Sequence, residues 1–130
     1  VEGTANGVYV VDASFAGVGK LKSTLKIYVN KGYAEQIEGK NARKLEKVLD
    51  SVGGEARNIA EFGIGTNEKA IITGNILEDE KVKGTCHIAL GNNIGFGGKV
   101  NAPLHLDGII MNPIIFIDNR KIMNNGKMLI

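Results

Sequence analysis

The fold is decided by the stretch from Glu61 to Asp107, which ends in Leu104-His-Leu-Asp107. The chain has two histidines, His87 and His105, and both lie in this stretch. Residues two apart on a strand point to the same face of a sheet. A strand through this segment therefore aims the His105 imidazole and the Asp107 carboxylate at one place, and turns Leu106 toward the core.

His87 lies in a second predicted strand, Gly84-Thr-Cys-His-Ile-Ala-Leu-Gly91, a β-branched and apolar run closed by glycine. Two imidazoles and a carboxylate brought together at strand ends form a minimal metal site. The alternative is ordinary, because a histidine in an apolar strand is more often a core residue with satisfied hydrogen bonds. The neighbouring Cys86 points to the opposite side of the strand and is predicted to be core.

Glu61 lies among apolar neighbours in a predicted strand over residues 58–64. A carboxylate in such surroundings costs several kcal/mol unless a cation or hydrogen-bond donors meet it. It is therefore a candidate for a metal or active-site role, although it could also pair with Arg57 or face water. The acidic run at Asp79 and Glu80 has two interpretations: it is a solvated helix end, or one of its carboxylates orients a metal-binding histidine through a hydrogen bond.

Most of the remaining sequence predicts short strands and tight turns, because the 18 glycines are spread between apolar runs. The exception is a helix from Asn41 to Val52, with an apolar stripe at three- and four-residue spacing. Asn41 is its expected N-cap, and Gly53 follows as a stop. Asn124-Asn-Gly126 predicts a hairpin. We therefore expect an α+β domain, with a mixed or barrel-like sheet of short strands and one main amphipathic helix.

The composition predicts one globular domain spanning residues 1–130, with 43% hydrophobic and 23% charged residues. A net charge of +2 and 5% aromatic residues argue against nucleic-acid binding. No apolar run approaches the roughly 20 residues of a membrane span. A single cysteine fits a reducing compartment and predicts a cytoplasmic protein. Since the chain begins at Val1, we expect it to be the C-terminal part of a longer protein.

Several motifs spread nearly from end to end of the chain carry a family resemblance. They are Glu2-Gly-Thr-Ala-Asn-Gly7, Val10-Val-Asp-Ala-Ser14, Ala60-Glu-Phe-Gly-Ile-Gly-Thr-Asn67, Asp79-Glu-Lys81 with Gly84-Thr-Cys-His-Ile-Ala-Leu-Gly91, and Leu104-His-Leu-Asp107. Through these motifs the chain resembles the thermophilic metalloaminopeptidases, the aminopeptidase T and aminopeptidase S group, to which the 2,5-dihydroxypyridine dioxygenases also look related.

This resemblance implies a metal-dependent aminopeptidase. Glu61, His87, His105 and Asp107 match the ligands of the family, and Glu61 is also the expected catalytic residue. The metals would be two divalent ions, zinc, cobalt or manganese, which activate water for hydrolysis of an N-terminal peptide bond. The expected partners are a peptide substrate and a second copy of the chain in a homodimer.

Two departures weaken the expectation of a two-metal centre, although a peptidase stays the first expectation, and one of them, at Ile94, favours an alternative. A further glutamate ligand of the family lies upstream of Val1, and Ile94 occupies the position of a tyrosine in the peptidases. His87, His105 and Asp107 then remain as a two-histidine, one-carboxylate set, which suits a mononuclear Fe(II) dioxygenase acting on a small aromatic substrate. A third possibility is a dimerisation or binding domain without catalytic activity.

Overall fold

The structure is a computed structural model that describes residues 2–130. Two α-helices lie in this range, α1 (Ala42–Val52) and α2 (Ile76–Asp79), with 3₁₀ helices at Gly54–Arg57 and Ile94–Phe96. The strands are β1 (Gly7–Val11), β2 (Ser14–Phe15), β3 (Gly19–Lys20), β4 (Leu25–Asn30), β5 (Tyr33–Glu38), β6 (Ile59–Ile64), β7 (Thr85–Gly91), β8 (His105–Met111), β9 (Ile115–Ile117), β10 (Arg120–Asn124) and β11 (Lys127–Met128).

The strands form three antiparallel sheets. The largest has five strands in the order β3-β2-β8-β7-β6, and the two three-stranded sheets have the orders β1-β4-β5 and β11-β10-β9. The predicted α+β class, with many short strands and one main helix, is confirmed. Within residues 2–130 the sheets do not close into a barrel, because each keeps free edge strands.

The main core lies between the β1-β4-β5 sheet, α1 and the five-stranded sheet. Its largest fully buried side chains include Phe15, Leu25, Leu45, Leu49 and Leu90. This core holds the five-stranded sheet in place, and Leu106 of β8 packs against it as the strand alternation predicted. The opposite face of β8 is therefore the one available to His105 and Asp107.

Helix α1 has nearly the predicted bounds but a narrower buried face. Asn41 occupies the N-cap position without a side-chain capping hydrogen bond, and Gly53 ends the helix at a φ of 107°. Of the predicted apolar stripe, Val48 and Val52 are exposed. The helix is thus attached mainly through Leu45 and Leu49, which pack into the core.

Replacing Leu49 by alanine is expected to lower the free energy of unfolding by about 3 kcal/mol, since a fully buried leucine leaves a cavity when truncated. The matched control is Leu77→Ala, whose side chain is 77% exposed and should change stability by no more than about 0.5 kcal/mol. Urea denaturation followed by circular dichroism compares the two. Equal losses would contradict the assigned core.

Between Val8 and Phe15 the chain leaves one sheet and enters another. Strand β1 pairs with β4, whereas β2 pairs with β8. The change of sheet occurs at Asp12 and Ala13. There the Asp12 carboxylate accepts a hydrogen bond from the Met111 amide, and the Ala13 amide donates to Ile109.

A second, smaller core lies under the C-terminal sheet, where Cys86 packs with Ile115, Ile122 and Met123. The apolar segment 109–117 is not one continuous strand, because Asn112 turns the chain with a φ of 49°, and Phe116 is exposed. Among residues 2–130 the longest helix has 11 residues, and no helix has the length and hydrophobicity needed to cross a membrane.

Candidate metal centre

The strand register brings the four predicted site residues to one face of the five-stranded sheet. Glu61 of β6 pairs with Ala89 of β7, and Ala89 pairs with Asp107 of β8, so the two carboxylates lie in one row on either side of a methyl group. Directly paired residues point to the same face. His87 is two residues before Ala89 and His105 is two before Asp107. Both imidazoles therefore project from this face beside the carboxylates.

The side chains of these residues, which we call the candidate site (Glu61, His87, His105 and Asp107), meet at short distances. Glu61 faces both imidazoles: its Oε2 lies 3.0 Å from Nε2 of His105, and its Oε1 lies 3.5 Å from Nε2 of His87. Nε2 of His105 is also 3.7 Å from Oδ1 of Asp107. The alternative pairing of Glu61 with Arg57 is not formed, because Arg57 contacts Asp50 instead.

His105 is oriented by a backbone carbonyl. Its Nδ1 lies 2.7 Å from the carbonyl oxygen of Asn92. A carbonyl can only accept, so Nδ1 carries the hydrogen and donates it. Nε2 of His105 faces the Glu61 carboxylate at 3.0 Å in this structure, and in the neutral ring it is the nitrogen whose lone pair a metal ion would meet. Metal-binding histidines are commonly oriented in this way.

His87 and Asp107 are deeply buried and incompletely hydrogen-bonded. Each is 7% exposed, and within residues 2–130 neither Nδ1 of His87 nor Oδ1 of Asp107 has a hydrogen-bond partner. Burial raises the pKa of Asp107, while the His105 and His87 imidazoles oppose that shift. Buried polar atoms without partners are costly and therefore uncommon. A cation bound among these groups would compensate that cost.

The absence of a side chain on Gly63 leaves room for the imidazole of His87. Its imidazole lies over Gly63, the directly paired residue on β6, and a Cβ built on Gly63 would be 2.1 Å from Nε2 of His87. Gly63 has no unusual φ, so it is the space and not the backbone conformation that requires glycine here. The need for glycine at position 63 was not visible in the sequence.

Glu80 is a further potential ligand. Its carboxylate forms a group with His87 and Asp107, while Glu61, His105 and Asp107 form another, and in each group the ligand atoms lie within 4.8 Å of one another. Asp107 belongs to both. Asp79, by contrast, faces away and is hydrogen-bonded to Ser14, Thr73 and Gly74. The sequence shows Asp79 and Glu80 side by side, but only the tertiary structure shows that their carboxylates point to different surroundings.

Within residues 2–130 the neighbouring residues supply no other ligand. Cys86 points to the opposite side of the sheet, as predicted, and burial raises the pKa of its thiol to about 11. Ile94 is an exposed aliphatic residue. The donor set is thus imidazole nitrogen and carboxylate oxygen, arranged in two groups of three that share Asp107 and contain one histidine each. Imidazole nitrogen combined with carboxylate oxygen is a donor combination that Fe(II) accepts.

Comparisons with known proteins identify the family. The family model described as NicX, 2,5-dihydroxypyridine 5,6-dioxygenase, matches residues 1–130. The solved structure of 2,5-dihydroxypyridine dioxygenase from Pseudomonas putida KT2440 is similar with a TM-score of 0.89 and 22% sequence identity. The similarity covers 98% of this chain and 41% of that longer chain, and at this identity it shows a shared fold. No curated protein sequence gives a significant match.

The expected membership in the metalloaminopeptidases is wrong, and with it the assignment as a peptidase, metallopeptidase or hydrolase. The matching family model and the similar structure both describe a dioxygenase. The error has a chemical reason, because histidine and carboxylate ligands serve both hydrolytic and oxidative metal chemistry. The expected position of these ligands at strand ends is also wrong, because Glu61, His87 and Asp107 lie inside their strands on one face of the sheet. Because the family model matches the whole sequence, the chain belongs to the 2,5-dihydroxypyridine 5,6-dioxygenase family.

Proposed function

We propose that this chain carries the metal centre of an Fe(II)-dependent dioxygenase that cleaves the ring of a small hydroxylated aromatic compound. The observation that carries the proposal is that Asp107 belongs to two groups of possible ligands, one of which contains His105 and the other His87. The family membership supports the same chemistry. We propose 2,5-dihydroxypyridine, which the family model names, as the first substrate to test.

In this proposal His87, His105 and Asp107 hold the ion, as two neutral nitrogen donors and one anionic oxygen donor. Bound Fe(II) would supply the redox chemistry that lets dioxygen react with an aromatic ring. The burial of His87 and Asp107 limits the access of water to that side of the centre. Substrate would therefore approach from the side of Glu61 and His105, whose side chains are 23% and 28% exposed.

Glu61 is proposed to be the catalytic proton acceptor, and to add a ligand where the metal requires one. Each of its oxygens faces one imidazole, so its carboxylate is held beside the open side of the centre. A carboxylate there can take the proton of a substrate hydroxyl group as that group approaches. The ionised substrate oxygen is a better partner for a cation than the neutral hydroxyl.

The 130 residues are proposed to act as a single domain that carries the metal ligands. The chain aligns with 41% of the similar dioxygenase chain, so the activity of a whole enzyme is a proposal and not an observation. The expected homodimer also stays a prediction, which sedimentation equilibrium would check.

The experiment loads the chain with Fe(II) without oxygen, measures bound iron per chain, and then follows oxygen uptake with 2,5-dihydroxypyridine. We expect one iron per chain, loss of iron binding in His105→Ala, and retained iron with lost oxygen uptake in Glu61→Gln. Glu68→Gln is the matched control, because Glu68 is an exposed glutamate paired with Lys83 away from the centre.

Each outcome has a definite meaning. Iron binding that survives in His105→Ala would overturn the ligand assignment. A folded wild-type chain that binds no iron would overturn the proposal and favour a binding or dimerisation domain. Iron binding without oxygen uptake would overturn this substrate and activity for the 130-residue chain.

A further inference from the structure

Residues of the loop that follows β7 contact the His105 imidazole in two ways. We call residues 92–98 the ligand loop. Its first residue, Asn92, accepts the hydrogen bond from Nδ1 of His105. Its Phe96 ring stacks on the His105 ring with a centroid separation of 5.6 Å and an interplanar angle of 29°. One short loop therefore contacts both the edge and the face of the same imidazole.

Hydrogen bonds within the ligand loop and to the residues that follow it hold the loop in place, although the loop contains several glycines. The Asn93 side chain is buried, and its Oδ1 accepts a hydrogen bond from the Val100 amide at 2.9 Å. The Asn93 carbonyl accepts from the amides of Phe96 and Gly98, both at 3.0 Å. The Asn92 side chain accepts from the Ile94 amide and donates to the Ala102 carbonyl. These bonds hold the loop in one conformation.

Phe96 is poorly explained as a core residue. Its side chain is 64% exposed and it belongs to neither hydrophobic core. An exposed aromatic ring contributes little through burial, but a stacked aromatic pair adds about 0.5–1.5 kcal/mol and favours particular ring orientations. The ring contact that the structure shows for Phe96 is its stacking on His105.

We infer that Phe96 is a positioning residue that holds the plane of the His105 imidazole and covers its hydrogen bond to Asn92, so that the ligand loop sets His105 for metal binding. This inference rests on the proposed metal centre and adds to it a residue outside the ligand set. The ring restricts rotation of the imidazole about its bond to Cβ. It also keeps water from competing for the Nδ1 hydrogen.

The test compares Fe(II) affinity, measured without oxygen by titration calorimetry, in wild type, Phe96→Ala, Phe96→Leu and Phe96→Tyr. We expect about tenfold weaker binding in Phe96→Ala, because outer-shell partners of a metal ligand contribute about 10–100-fold. Phe96→Leu should also bind weakly because it lacks the ring, while Phe96→Tyr should bind like wild type. The high exposure of Phe96 makes misfolding of these variants unexpected.

A second readout needs no metal. In nitrogen NMR spectra of the metal-free chain, wild type should show His105 with hydrogen on Nδ1, and its exchange with solvent should become faster in Phe96→Ala. Ile94→Ala is the matched control, because Ile94 lies in the same loop, is exposed, and has no ring contact with His105. It should leave both the affinity and the exchange rate unchanged.

A variant of the loop backbone tests the same idea without touching Phe96. A Cβ on Gly98 would lie 2.1 Å from Cγ of Asn93, so Gly98→Ala should displace Asn93, loosen the loop and weaken Fe(II) binding about tenfold. Gly95→Ala is its control, since a Cβ there meets nothing within 4 Å.

The inference is overturned if Phe96→Ala binds Fe(II) as tightly as wild type, or if Phe96→Tyr is as weak as Phe96→Ala. Wild type that binds no Fe(II) at all is a different failure. That result would overturn the proposed metal centre, whatever the NMR spectra show for the contact between Phe96 and His105.

Discussion

Replacing Gly63 by alanine is expected to weaken Fe(II) binding about 100-fold, at the upper end of the effects seen when the surroundings of a metal ligand are changed. The new methyl group would lie 2.1 Å from Nε2 and 2.3 Å from Cε1 of His87, closer than any non-bonded contact allows. His87 is buried, so its imidazole has few other positions to occupy. We therefore expect the alanine methyl group at position 63, which itself binds no metal, to displace the His87 imidazole from its place as a proposed ligand.

The matched control for Gly63→Ala is Gly54→Ala. Neither glycine has a left-handed φ, and a Cβ on Gly54 would meet nothing within 4 Å. Gly54→Ala should therefore keep the wild-type affinity. Circular dichroism spectra of both variants establish that the chain is folded before calorimetry measures the binding.

A double-mutant cycle shows whether the effect of Gly63→Ala acts through His87. If the methyl group harms binding only by displacing that ring, the variant that combines Gly63→Ala with His87→Ala should bind no more weakly than His87→Ala alone. Additive losses would show that Gly63 acts by another route. Unchanged affinity in Gly63→Ala itself would place the metal away from His87.

Replacing Asp79 by alanine is expected to lower the free energy of unfolding by about 4 kcal/mol, a large share of the 5–15 kcal/mol typical of a domain. Asp79 is fully buried and accepts hydrogen bonds from the Ser14 hydroxyl at 2.6 Å, the Thr73 amide at 2.8 Å and the Gly74 amide at 3.0 Å. Truncation leaves three donors without their acceptor. Each such buried group costs about 1–3 kcal/mol.

Asp50→Ala is the control for Asp79→Ala. It removes a carboxylate that is 67% exposed and paired with Arg57, and such surface pairs contribute about 0–1 kcal/mol. Asp79→Asn should also be destabilised, because an amide presents N–H groups where acceptors are needed. Urea denaturation of the three variants measures the differences. A loss below about 1 kcal/mol for Asp79→Ala would contradict the assigned hydrogen-bond network.

The role of Asp79 also explains how Glu80 comes to lie beside the candidate site. Through Ser14, Asp79 fastens α2 to strand β2 of the five-stranded sheet. Glu80 follows directly and is thereby held near His87 and Asp107. In the sequence Asp79 and Glu80 look equivalent. Only their environments in the folded chain distinguish Asp79, which attaches α2 to the sheet, from Glu80, which is a potential ligand.

The sequence by itself determined the features that depend on local periodicity. Alternation along β8 places His105 and Asp107 on one face and turns Leu106 to the core. Apolar residues spaced three and four apart predicted α1, and glycines distributed between apolar runs predicted short strands. These patterns depend only on the geometry of a strand or a helix, so they can be read without knowing any partner.

The tertiary structure decided everything that depends on register between distant segments. It aligned Glu61, Ala89 and Asp107 across three strands, placed Gly63 under His87, and brought Phe96 onto His105. A ligand list alone fitted a peptidase and a dioxygenase equally well, because both use imidazoles and carboxylates. Pairing between strands brings together residues far apart in the chain, and no local pattern specifies which residue will lie opposite which.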